Sequence, residues 1–345
     1  MRLASVGYIA IAAALAGVPA LAQAEWQALP EQAPVPADNP MSAAKVELGK
    51  TLFFDPRLSA TGTVSCNSCH NVMLGGDDNR DVSMGVHGKT GTRNAPTVWN
   101  SAFNASQFWD GRAADLEEQA KGPVINPVEM AMKDLDTAIE AIRAIPGYEA
   151  MFTEAFGPDS ISEDNMARAI AAYERTLITP NSPYDRYVKG ERDAMSEQQV
   201  RGMEAFKQAG CVSCHGGPAF NGANLARDGG GLFMKFPLFT DNPYVERYDF
   251  MADRGRAEAT GKAADEFMWK VPTLRNITLT APYFHNGSVK TLDEAVRVMA
   301  KTQLNQDLSE QQVEDIVAFL GALTGEFPEQ SLPRLPGTAG FTIIE

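Results

Sequence analysis

Apolar side chains recur with helical spacing along much of the chain, beginning with Ser42-Ala-Ala-Lys-Val-Glu-Leu-Gly-Lys-Thr-Leu-Phe53. Ser196 to Phe206 follows the same pattern, with Ser196 as a natural cap. Asp134–Ile145, Glu163–Thr176, Leu292–Ala300 and Ser309–Leu320 are further helical stretches, the last three amphipathic. Period-two alternation is scarce, so the pattern predicts a mainly α fold. A Pro-rich lead-in (Pro30, Pro34, Pro36, Pro40) precedes the first helix, and Thr179-Pro-Asn-Ser-Pro183 reads as an inter-domain linker.

An internal repeat divides the chain. Pro96–Ala120 aligns without gaps on Pro272–Val296, an offset of 176, with eight identities in 25 positions. Such self-similarity marks duplicated structural units. The identical pairs include Pro96/Pro272, Asn100/Asn276, Phe108/Phe284 and Gly111/Gly287. The expected organisation is therefore two related domains, 25–179 and 180–345, after a segment 1–24. That segment reads as an export signal: Arg2, an apolar stretch from Tyr8 to Val18, and the small-x-small site Ala22-Gln-Ala24. It predicts an exported, periplasmic protein. No later apolar run reaches 18 residues, so membrane insertion is not expected.

Composition narrows the partners. Asp+Glu 44 against Lys+Arg 30 gives a net charge of −14, which repels phosphate backbones and anionic lipid. Nucleic acid is set aside.

The four cysteines carry the chemistry. They occur as Cys66-Asn-Ser-Cys69-His70 and Cys211-Val-Ser-Cys214-His215, although the chain has only four histidines. Cys-x-x-Cys-His is the attachment signature of c-type haem, with thiols bonding the porphyrin and imidazole ligating iron. A zinc site leaves both adjacent histidines unexplained. Two covalent haem c groups are expected. These motifs lie 145 apart, so the second half holds 31 extra residues between motif and repeat. They fall in the stretch from Gly216 to Gly261, expected to be a long surface excursion.

The halves differ at the second axial position. Met299, 84 residues after His215, ends an amphipathic stretch and is either a thioether ligand or core filling. Its repeat partner is Pro123, so the first half lacks the equivalent ligand. One saturated and one accessible iron suit an enzyme with a built-in electron relay, whereas a carrier saturates both. His87, in a Gly-flanked loop 17 residues after His70, is a candidate replaceable ligand or a solvated loop residue. His285 is either a buried, hydrogen-bonded histidine or a ligand; Trp109, at its repeat position, is either a core residue or an electron bridge facing the domain junction.

Leu48-Gly-Lys-Thr-Leu-Phe-Phe-Asp-Pro-Arg57, Arg93-Asn-Ala-Pro-Thr97, Phe108-Trp-Asp-Gly-Arg112, Glu174-Arg-Thr-Leu-Ile178 and Thr280-Ala-Pro-Tyr-Phe-His285 join the two haem motifs. Over essentially the whole mature chain the sequence resembles the bacterial dihaem cytochrome c peroxidases. The resemblance implies two cytochrome c-like domains and reduction of hydrogen peroxide by electrons from a small periplasmic cytochrome c or cupredoxin. It implies a low-potential peroxidatic haem at Cys66, Cys69 and His70, with His87 as displaceable ligand. A high-potential electron-entry haem is implied at Cys211, Cys214 and His215, with Met299 as sixth ligand. Trp109 falls at the inter-haem tryptophan, and Gln119 and Glu129 at the distal-pocket residues. Asn94 and the carbonyls of Thr280 and Pro282 fall at an interdomain Ca2+ site, and a homodimer is implied. Two other readings remain: a related dihaem oxidase of protein side chains, which carries Tyr at the Met299 position, and a non-catalytic dihaem carrier.

Overall fold

Helix caps set the ends of the first core helices. In the computed structural model, which describes residues 26–222 and 231–338, Ser42 Oγ accepts the Lys45 N–H at 3.2 Å and opens α1, Ala43–Phe54. The export segment expected over 1–24 lies outside the described residues. Reciprocal caps by Ser196 with Gln199 and Ser309 with Gln312 open what are below named α8 and α12.

The N-terminal half contains α1, α2 (Cys66–Cys69), α3 (Leu116–Ile125), α4 (Leu135–Arg143), α5 (Pro146–Phe156) and α6 (Glu163–Glu174). Leu48, Leu52, Phe53, Phe152, Ile170 and Tyr173 form the centre of its apolar core. The second half contains α7 (Pro183–Val188), α8 (Glu197–Gln208), α9 (Pro243–Arg247), α10 (Ala257–Thr260), α11 (Leu292–Leu304) and α12 (Glu310–Gly321). Tyr184, Met203, Phe206, Phe220 and Phe319 centre its own core. The mainly α expectation holds, with one short antiparallel pair among the described residues, β1 (Phe233–Lys235) on β2 (Met268–Lys270).

Each half is closed by a tight helix crossing. A methyl at Gly49 of α1 would stand 1.8 Å from the Ala169 carbonyl oxygen of α6, and one at Gly202 of α8 would stand 1.8 Å from that of Asp315 in α12. Only glycine permits either approach.

The sequence repeat is a structural repeat. Asn100 and Asn276 both take left-handed backbone, φ 63° and 60°, as do Phe108 and Phe284, φ 67° and 69°. Single bridges Gln107–Ala113 and Tyr283–Val289 lie at the same offset, and α3 and α11 start at the equivalent leucines, Leu116 and Leu292. Helices α3, α5 and α7 were not among the periodic stretches. Gly122 and Pro123 interrupt the pattern of α3, and α5 and α7 begin on prolines, which read as breakers although they suit a first helical turn.

Two expectations change. Beyond the undescribed residues 223–230, the stretch up to 261 is not only a surface excursion. Phe236 and Phe250 are buried from it, packed with Trp269, Tyr283 and Val298 in a separate apolar cluster. The supposed linker is interior: Thr179 and Ser182 are fully buried. Thr179 Oγ1 meets the side-chain amides of both repeat asparagines, Asn100 at 2.8 Å and Asn276 at 2.9 Å. One hydroxyl thus ties the duplicated halves together.

Candidate active site

Two cavities follow from the duplication. The first, 520 Å³, is walled by Cys66, Cys69 and His70 together with Gln119, Pro123 and Glu129. The second, 240 Å³, is walled by Cys211, Cys214, His215 and Met299. Repeat-related positions therefore present Pro123 to one cavity and Met299 to the other.

The histidines are set alike. His70 Nδ1 is 3.0 Å from the Pro96 carbonyl oxygen, and His215 Nδ1 is 3.0 Å from that of Phe220. A carbonyl partner fixes the Nδ1–H tautomer and leaves Nε2 as the ligating nitrogen. Burial lowers the pKa of both imidazoles, favouring the neutral form that binds metal. Among the described residues, none of the four cysteines is paired in a disulfide.

Residues of the walls test whether haem suits these cavities. Trp269 Nε1 and His285 Nε2 are buried without hydrogen-bond partners, and both residues line the second cavity beside the buried Lys270. Burial lowers Lys270 to about 8, against a raising influence from Asp110. Donors left bare cost free energy unless an acceptor reaches them. A porphyrin carrying two carboxylates supplies acceptors and negative charge. Among the described residues, no three His, Cys, Asp or Glu groups converge as a chelating metal site. The donor sets fit haem c: two thiols and one imidazole each, with the thioether of Met299 added in the second cavity.

Glu129 stands in the turn after α3. Asn126 Nδ2 donates to its Oε1 at 2.7 Å, while its own backbone N–H donates to the Asn126 carbonyl at 3.0 Å. Burial raises the Glu129 pKa; the nearby Arg112 charge and the Asn126 hydrogen bond act against this. Its carboxyl lines the cavity wall with a raised proton affinity. Asn126 and Arg112, the latter stacked 3.5 Å over the Phe108 ring, were missed in the sequence. Asn126 was visible only as an Asx residue in a Pro-containing turn.

Trp109 and Asn94 line both cavities. The indole Nε1–H of Trp109 donates to the Asn94 carbonyl at 2.9 Å, so the ring is held in the partition between the cavities. His285 lines only the second cavity, stacked on Trp269 at 4.1 Å. Burial drops its pKa to about 4. Asn94, Thr280 and Pro282 all line the second cavity. Asn94 Nδ2 donates to the Arg80 carbonyl at 2.7 Å.

His87 departs from expectation. It does not line the first cavity and is exposed. The cause is local: Val86 is buried with its N–H on the Glu129 carbonyl at 2.9 Å, while the next residues turn through left-handed backbone at His87, φ 57°. In this conformation the imidazole is turned away from the position expected of an iron ligand.

The sequence model of the di-haem cytochrome c peroxidases matches residues 43–193, and that of cytochrome c matches 199–324. Cytochrome c551 peroxidase of Nitrosomonas europaea is 46% identical, the match covering 88% of this chain and 86% of the relative. The chain belongs to the di-haem cytochrome c peroxidases. Cytochrome c551 peroxidase of Pseudomonas aeruginosa is 45% identical over 93% of this chain and 90% of its own. Among solved structures, a MauG-like protein associated with microbial copper homeostasis superposes with a TM-score of 0.75 at 31% identity. That match covers 86% of this chain and 95% of the other. The cytochrome c domains of this peroxidase imply covalently bound haem c, and each matched stretch contains one Cys-x-x-Cys-His motif. No helix among the described residues is long and apolar enough to cross a membrane.

Proposed function

We propose that this enzyme reduces hydrogen peroxide to two waters in the first cavity, with two electrons from a small periplasmic cytochrome c or cupredoxin. The carrying observation is the contrast between the walls. Glu129, Gln119 and Pro123 surround the cavity of His70, where the other cavity has the thioether of Met299 beside His215. When bound, the haems supply iron that takes up peroxide in the first domain and accepts donor electrons in the second. Glu129 takes the proton from one peroxide oxygen and returns it to the other, which then departs as water. Gln119 orients the peroxide by hydrogen bonding. Asn126 holds the Glu129 carboxylate, and Val86, bound to the Glu129 backbone, keeps the His87 turn outside the cavity. Trp109 bridges the partition for electrons, and Met299 keeps the entry haem high in potential.

Residues 25–179 are the peroxidatic unit in this reading, and 180–345 the electron-entry unit. Ca2+ binds Asn94 Oδ1 with the carbonyls of Thr280 and Pro282, an all-oxygen set suited to that ion. Periplasmic location and a homodimer complete the reading. Met299 argues against the side-chain oxidase, whose second haem carries Tyr.

The test is rapid mixing of the reduced holoenzyme with hydrogen peroxide. Fast oxidation of both haems in a 1:1 reaction is expected. A slow reaction at both, with two six-coordinate spectra throughout, would identify a carrier instead.

A further inference from the structure

Glu174 takes no part in the chemistry above, yet it is the last residue of α6 and lines the first cavity. The residue is 5% exposed, and its Oε2 has no hydrogen-bond partner. A carboxylate so placed is expensive to keep charged, because no side chain pairs with it as a counterion.

The obvious counterion is committed elsewhere. Arg175, the next residue, reaches Glu117 of α3 at 2.8 Å through Nη1 and at 2.9 Å through Nη2. Glu117 is held in addition by Asn39 Nδ2 at 2.8 Å. The Arg175–Glu117 pair is thus neutral, and Glu174 faces it without an ion partner of its own. The groups acting on its carboxyl are Arg175, which favours ionisation, and Glu117, which opposes it. Neither α1 nor α4, the other helices against α6, contributes a charge that acts on it. From α2, the Cys66 thiol senses the Glu174 charge and is itself pushed up by burial first and Glu174 second. Around the cavity stand His70, Arg93, Arg112 and Glu129.

We propose that the Glu174 carboxyl is the redox-linked proton site of the N-terminal haem, protonated when the iron is reduced and ionised when it is oxidised. The assignment rests on the reading of the first cavity as a haem site, not on peroxide chemistry. One electron from the donor protein enters the iron, converting ferric to ferrous. One proton from solvent forms the O–H bond at Oε2, and no other bond is made or broken. The physical cause is charge balance in a poorly solvated wall: the oxidised centre carries one more positive charge and attracts a carboxylate, and the reduced centre releases that hold. Burial already raises the carboxyl to about 8, so the switch falls in an accessible range.

Spectroelectrochemical titration of the holoenzyme on either side of about pH 8 tests this, following each haem by its own bands. In the wild type, the reduction equilibrium of the N-terminal haem should change by up to tenfold per pH unit, about 59 mV for a one-electron couple. The C-terminal haem should change much less. Glu174→Gln should flatten the N-terminal slope alone. An N-terminal slope in Glu174→Gln equal to that of the wild type overturns the assignment. Redox-difference infrared spectra of the wild type decide independently should the variant fail to load haem. Reduction at near-neutral pH, below about 8, should produce a protonated-carboxyl band, and the absence of any such band also overturns the proposal. Neither readout involves peroxide, so a failure of the peroxidase reading appears in the mixing experiment and not here.

Discussion

Glu129 shows how surroundings set the proton affinity of one side chain. Burial raises its pKa, the Arg112 charge and the Asn126 hydrogen bond limit the rise, and Asn126 holds the carboxylate against the cavity. Losing a positioned acid–base group costs about 10²–10⁴-fold in rate. Glu129→Gln should slow single-turnover oxidation by peroxide by that factor while leaving both haem spectra and potentials nearly unchanged, measured by rapid mixing and redox titration. The pH dependence has a definite sign. In the proposed reaction the carboxylate is the proton acceptor, so the wild-type rate should fall as pH drops through the raised pKa, and Glu129→Gln should lose that dependence. At this scale the sequence was partly legible. The Cys-x-x-Cys-His runs carry their chemistry in adjacent residues, and Glu129 was named only through the family resemblance. Asn126 did not, because its contribution is a contact.

At the scale of elements, paired helices bind each half. Gly202 exists to bring α8 onto the Asp315 carbonyl of α12, where an added methyl would stand 1.8 Å away. Gly202→Ala should therefore force the helices apart and destabilise the C-terminal half by about 1–3 kcal/mol, read as a lower midpoint in denaturant. Gly321→Ala, on α12 itself, is the control: its methyl meets nothing within 4 Å, and it should be neutral or slightly stabilising because alanine favours the helical state. Helices α1, α6, α8, α11 and α12 were readable because their apolar faces repeat. Helix α3 was not, because Gly122 and Pro123 serve the cavity and the turn that carries Glu129.

For the whole molecule, Thr179 ties the halves by accepting from Asn100 and Asn276 and giving its backbone N–H to Asn100 Oδ1 at 2.9 Å. Thr179→Val keeps the shape and removes the hydroxyl, leaving two buried amides short of an acceptor. The expected loss is about 1–3 kcal/mol per stranded group, seen as a lower thermal midpoint and earlier separation of the two haem signals during unfolding. Arg93 adds a second tie, pairing with Asp110 of its own half and Asp253 of the other at 2.6 Å each. The residues of the Arg93–Asp110 pair are the chain neighbours of Asn94 and Trp109, so this tie also helps to build the partition between the cavities.

The sequence by itself determined the duplication, the mainly helical class, the two Cys-x-x-Cys-His motifs and the Met299/Pro123 contrast. Each is written in local spacing or in comparison of one half with the other. Only the tertiary structure decided that Trp109 and Asn94 belong to both cavities, that the 179–183 link is interior, and that His87 stands outside. It alone also revealed Glu174 as a carboxyl without a counterion. Those properties depend on which surfaces meet and which polar atoms lose water, and residues far apart in the chain set both.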